Sequence, residues 1–119
     1  MMNSFKADSV GRVIEDYQAV YTDPLTISTG EELTIGERDS EWPGWIWCTN
    51  GAGKGGWVPE RGIEQRGEVG VARYDYSAAE LSVRVGEELT LHAEESGWFW
   101  ATNRAGRSGW VPAKHIEGG

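Results

Sequence analysis

Apolar and polar residues alternate along most of this chain. "ELTIGE" (32–37) and "ELTLHAE" (88–94) alternate apolar and polar residues, and "WIWCTN" (45–50) and "WFWATN" (98–103) repeat Trp at every second position. A period of two predicts half-buried β-strands. Helical spacing is nearly absent. Asn50–Gly56 and Asn103–Gly109 supply the glycines that tight hairpins need between each Trp strand and the "WVP" strand that follows. Pro59 and Pro112 cannot donate to a ladder, so each is expected to end its strand. The same alternation turns Val58 and Val111 towards a core and Trp57 and Trp110 to an outer face. Trp47 and Trp100 share a face with Trp45 and Trp98, where they either widen an aromatic surface or cover the barrel.

The pattern occurs twice. "GEELT" stands at 30–34 and 86–90, and "WIWCTNGAGKGGWVP" (45–59) overlays "WFWATNRAGRSGWVP" (98–112). The first copy carries three extra residues in "ERDSEWPG" (37–44), a charged loop with Pro and Gly where insertion is cheap. Two duplicated units follow, each of four or five short strands, which is enough for a small closed barrel but not for a broad sandwich. The expected organisation is a loose tail over 1–10, one barrel over 11–64, a short linker over 65–68 and a second barrel over 69–117.

Composition narrows the function. Among 119 residues, 17 are Gly and 7 are Trp, which favours turns and aromatic packing. Eleven Lys+Arg stand against 19 Asp+Glu, and the formal charge of −8 disfavours nucleic acid and anionic membrane as partners. The single cysteine excludes an internal disulfide; it overlays Ala101, so Cys48 is expected to be a buried, inert thiol. No Cys and His pattern suits zinc, and neither metal nor cofactor is expected. No nucleophile–base pair or phosphate-cradling glycine loop suggests an enzyme. The start of the chain has no signal-peptide core, and a cytoplasmic location is expected.

Each copy resembles a Src-homology 3 domain. The second matches through "ARYDY" (72–76), Leu81, "GEEL" (86–89), "WFWA" (98–101), Gly106 with Gly109, and "GWVPAKHI" (109–116). The first matches through "VIEDY" (13–17), Leu25, "GEEL" (30–33), "WIWC" (45–48), Gly53 with Gly56, and "GWVPERGI" (56–63). The resemblance implies an all-β fold of two five-stranded barrels, each with an aromatic groove for extended proline-rich peptides and an acidic loop beside it for a basic residue. Such peptides lose little entropy on docking because they are already extended.

Carried onto this chain in linear order, the resemblance gives one groove of Tyr74, Tyr76, Glu80, Trp98, Pro112 and His115. The other groove comprises Tyr17, Tyr21, Asp23, Trp45 and Pro59. His115 stands where the family has its last Tyr, and a ligand contact there would respond to pH. The "SAAE" loop (77–80) is three residues short. In the first copy Glu15 and Gly62 replace two aromatic residues, which makes the second copy the better binder. His92 is expected on a strand surface, and "GERDSEW" (36–42) as a solvated loop. The expected function is a non-catalytic adaptor for protein or peptide segments, proline-rich and basic ones among them. The competing reading is a structural module that self-associates through exposed Trp surfaces.

Overall fold

The structure, a computed structural model, describes residues 7–20 and 24–118. In chain order the strands are β1 (Ser9–Val13), β2 (Thr26–Ile27), β3 (Glu32–Arg38), β4 (Trp45–Thr49), β5 (Gly55–Pro59) and β6 (Ile63–Arg66). They continue as β7 (Val69–Ala72), β8 (Tyr76–Ser77), β9 (Glu88–Glu95), β10 (Trp98–Thr102), β11 (Ser108–Pro112) and β12 (Ile116–Gly118). Single 3-10 turns at Glu60–Gly62 and Ala113–His115 follow the two "WVP" strands, and no α-helix occurs among the described residues. The all-β class expected from the alternation is what forms.

Ten of the strands make two five-stranded antiparallel sheets of the same design, in the orders β5-β4-β3-β7-β6 and β11-β10-β9-β1-β12, and β2 pairs with β8. These orders do not follow the linear halves of the chain. The first strand of the chain, β1, lies between β9 and β12 of the second copy, with Gly11 opposite Leu89 and Val13 opposite Ile116. Its counterpart β7 lies between β3 and β6 of the first copy, with Gly70 opposite Leu33 and Ala72 opposite Ile63. Residues 24–79 therefore form one compact unit, called here the central unit, and residues 7–20 with 80–118 form the other, the terminal unit. The expected boundaries at 11–64 and 69–117 mark the two linear copies, and in the structure the opening strand of each copy lies in the sheet of the other.

The expected linker explains why. Arg66 of β6 faces Val69 of β7 directly, so only Gly67 and Glu68 separate two paired strands. Gly67 takes a φ of 67°, the left-handed conformation that a two-residue hairpin turn requires and glycine adopts freely. A chain that reverses in two residues must lay β7 beside β6, in the place where the first copy's own opening strand would sit. The tail expectation also narrows, because Ser9 and Val10 belong to β1, and the Asp8 amide donates to the Leu91 carbonyl.

Core residues correspond at eight positions, and Leu91 adds a ninth to the terminal core where its counterpart Ile35 is only partly buried. Val13, Leu81, Val83, Leu89, Phe99, Ala101, Val111 and Ile116 are buried together in the terminal unit. Ala72, Leu25, Ile27, Leu33, Ile46, Cys48, Val58 and Ile63 hold the matching places in the central unit. Val58 and Val111 point inward, as the alternation predicts. On the other side of these strands Trp47 meets Trp57 and Trp100 meets Trp110, edge to face with centroids 5.1 and 5.3 Å apart. These cross-strand pairs cover their sheets.

The turns follow their sequences. The Asn50 and Asn103 carboxamides accept backbone N–H groups from Lys54 and Arg107, closing the two glycine hairpins. The three-residue insertion is held by Asp39, whose carboxylate accepts the amides of Glu41 and Trp42. At the equivalent point of the terminal unit Ser96 and Gly97, both at positive φ, turn β9 directly into β10.

Candidate functional site

Strand exchange re-sorts the aromatic residues. Tyr17, at the end of the β1 arm, enters the terminal unit and bridges to Val83. Its ring stands edge to face with Trp98, centroids 5.6 Å apart, and with His115 at 5.7 Å. Tyr17, Trp98, Pro112 and His115 therefore lie in one unit, with Pro112 opposite Trp98 in the β10–β11 ladder. Tyr74 and Tyr76, expected here, lie instead in the central unit with Trp45 and Pro59, and Trp45 faces Pro59 across β4 and β5. The structure thus divides the tyrosines of the two expected sets between the units in the opposite way. Tyr21 and Asp23 lie outside the described residues.

The departures from the family pattern become complementary once the strands are exchanged. Gly62 replaces an aromatic residue, and the space above it is taken by Tyr74, whose hydroxyl would come within 2.7 Å of any Cβ at that position. In the terminal unit the smaller Glu15 stands at the position of Tyr74 and leaves room for His115, whose Nε2 is 3.8 Å from the Glu15 carboxylate. Tyrosine goes with glycine, and glutamate with histidine. Linear closure would set Tyr74 against His115 and Glu15 against Gly62.

The two grooves differ in access. Trp45 retains only 4% of its surface, whereas Trp98 is half-buried. In the terminal unit the exposed Glu15 and Asp16 precede Tyr17. Glu80, expected to meet a ligand cation, also accepts internally, with its Oε1 taking the Tyr17 hydroxyl at 2.7 Å and the Val20 amide at 3.0 Å. The first of these bonds holds the Tyr17 side chain, whose ring stands against Trp98. Tyr76 is fixed differently, its hydroxyl donating to the Trp57 carbonyl at 2.8 Å. His115 is buried, and its Nδ1 has no hydrogen-bond partner among the described residues.

Two carboxylates anchor equivalent turns beside the grooves. Asp16 accepts the Val85 amide at 2.7 Å. Asp75 accepts both the amide and the hydroxyl of Thr29, at 2.8 and 3.0 Å, and these bonds hold its pKa below the ordinary carboxylate value. Burial pushes the Cys48 thiol up to about 11, which keeps it protonated and inert as expected. His92 is half-buried in its strand, bonded through Nδ1 to Asp8 and through Nε2 to Thr102, both at 2.8 Å. The His92 surface position expected from sequence lacks these partners because Asp8 falls within the tail expected over 1–10. No group of three or more His, Cys, Asp or Glu among the described residues could hold a metal ion. No helix among them is long and apolar enough to cross a membrane.

Comparison with known proteins gives two family matches, one for each linear copy. Residues 10–64 match the family described as Variant SH3 domain, and residues 71–113 match the SH3 domain family. The chain is a tandem pair of SH3-type domains. It is similar to SH3 and PX domain-containing protein 2B of Mus musculus, 25% identical over 123 residues that cover 88% of this chain and 13% of that relative. The chain thus spans a small fraction of the length of the curated relative it matches. No solved structure matches. SH3-type domains are protein-interaction modules, and the similarity points to interaction rather than catalysis.

Proposed function

We propose that the terminal unit binds extended protein segments, proline-rich ones among them, through the groove of Tyr17, Trp98, Pro112 and His115. The edge-to-face Tyr17–Trp98 pair carries this reading. It offers two aromatic walls held by the Glu80 bond, with Trp98 still accessible to a ligand. Flat rings of this kind bury proline side chains without a deep cavity. Glu15 and Asp16, exposed beside Tyr17, favour a segment that carries Lys or Arg, and the overall charge of −8 supports the same sign of partner.

Chemical-shift titration of the whole chain with a basic proline-rich peptide, and with the same peptide after Arg/Lys→Ala replacement, tests the reading. Shifts are expected at Tyr17, Trp98 and His115, with weaker binding of the neutralised peptide. Trp98→Ala is expected to abolish uptake while the dispersed spectrum of the fold remains. Unchanged affinity in that variant, or shifts confined to Tyr74 and Trp45, would count against it.

A further inference from the structure

The exchange places two closely similar strands in each other's sheets, and both acceptor sites are cut to the same shape. Gly11 faces Leu89 as Gly70 faces Leu33, and Arg12 faces Glu88 as Val71 faces Glu32. A Cβ on Gly11 would lie 2.7 Å from Ile116 and 2.8 Å from Leu91. On Gly70 it would lie 2.5 Å from Ile63 and 3.1 Å from Ile35, the matching side chains. Each arm therefore carries a glycine where either sheet presses closest, so β1 and β7 are sterically admissible in both positions.

Two short connections decide between the closures. Gly67 and Glu68 alone join β6 to β7. At the other end of the β7 arm, the Ala78 amide donates to Leu25 in the central unit. The Leu81 amide already donates to Trp110 in the terminal unit. Only Ala79 and Glu80 lie between these anchors. For linear closure Tyr76 would have to take the position of Tyr17 opposite Val83, so the chain would have to reverse within Ser77–Glu80. Running straight through needs no reversal, and short hinge segments are a known cause of exchanged strands.

We propose that these two connections are a length-gated device that determines which tyrosines serve which groove. At their present lengths β1 and β7 are held in exchanged positions. Lengthening both returns each strand to the sheet of its own half, bringing Tyr74 and Tyr76 to Trp98 and Tyr17 to Trp45. The proposal goes beyond the binding role and needs no ligand.

Paired cysteines in the whole chain report the closure. Arg12 faces Glu117 in the exchanged form, and in linear closure it would take the place of Val71, opposite Glu64. Arg12→Cys with Glu117→Cys should form an intramolecular disulfide in the monomer, while Arg12→Cys with Glu64→Cys should oxidise at least ~10-fold more slowly, as expected when geometry forbids the encounter. A flexible insertion of about eight residues between Gly67 and Glu68, with about three between Ala78 and Ala79, should invert that ratio. Rapid oxidation of the Glu64 pair at natural length would overturn the proposal. So would a lengthened chain that keeps the Glu117 pair or forms neither bond. If the doubly lengthened chain does not fold, each insertion alone carries the test: with the other connection still short, the Glu117 pair should keep its advantage, and its loss in a folded chain with one insertion would overturn the proposal.

Discussion

The central and terminal units share a strand order and a core pattern, yet they use their aromatic residues in opposite ways. In the central unit Tyr74 fills the space over Gly62 and Trp45 is almost wholly buried, so the place of a groove is used for packing. In the terminal unit the buried His115 takes that space beside Glu15, Trp98 stays half-buried, and Tyr17 is pinned by Glu80. The same duplicated frame has thus been closed on one side and kept accessible on the other. The exchange of opening strands is what deals Tyr74 to Gly62 and Glu15 to His115.

Tryptophan replacement gives the widest expected separation between the units. Trp45→Ala should cost roughly 3–5 kcal/mol of stability as a large buried ring is lost. Trp98→Ala should cost about 1 kcal/mol and show itself mainly in binding. Denaturant titration of both variants checks this, and equal losses would erase the distinction.

The equivalent glycines at 56 and 109 come next. A Cβ on Gly109 would meet backbone, with Glu80 C at 2.7 Å and Leu81 N at 2.8 Å, whereas on Gly56 it would meet the side chains of Leu25 and Ala78 at 2.9 and 3.0 Å. Backbone yields less than side chains do. Gly109→Ala is expected to destabilise by about 3 kcal/mol and Gly56→Ala by about 1 kcal/mol.

Tyr17→Phe and Tyr76→Phe sharpen the comparison on a smaller scale. Tyr17 loses a bond to a carboxylate and Tyr76 one to a carbonyl, so losses of about 2 and about 1 kcal/mol are expected in the same assay.

The smallest effect concerns acid. Because the folded pKa of Asp75 is lowered, its bonds to Thr29 stabilise fully above the ordinary carboxylate value near ~3.9, and that contribution is lost as pH falls through the lowered value. Thr29→Val, which gives the central unit the residue found at Val85, should move the Asp75 titration back upward. NMR titration of the carboxyl carbon reads this directly, and an unmoved midpoint would remove the hydroxyl as a cause.

Much of the fold was legible in the sequence because it is encoded locally. Alternation located the strands, Asn and Gly located the hairpins at 50–56 and 103–109, and the inward valines were placed by period two. Which first strand joins which sheet is not a local property. "QRGEVGVA" (65–72) can be taken as a linker, yet it also has the form of two short strands about a glycine turn, and the hairpin signal at Gly67 was the clue available. Without that turn, linear order sets Tyr74 and Tyr76 with Trp98 and Tyr17 with Trp45, and the Tyr74–Gly62 and Glu15–His115 complementarity is not visible. The internal role of Glu80 was equally hidden, because its partner Tyr17 lies far away in the chain.

A NOESY spectrum of the whole, unmodified chain tests the exchange of opening strands most directly. The account predicts cross-strand contacts from Gly11–Val13 to Ile116–Gly118 and from Val69–Ala72 to Ile63–Arg66. Contacts from Gly11–Val13 to Ile63–Gln65 in their place would contradict it.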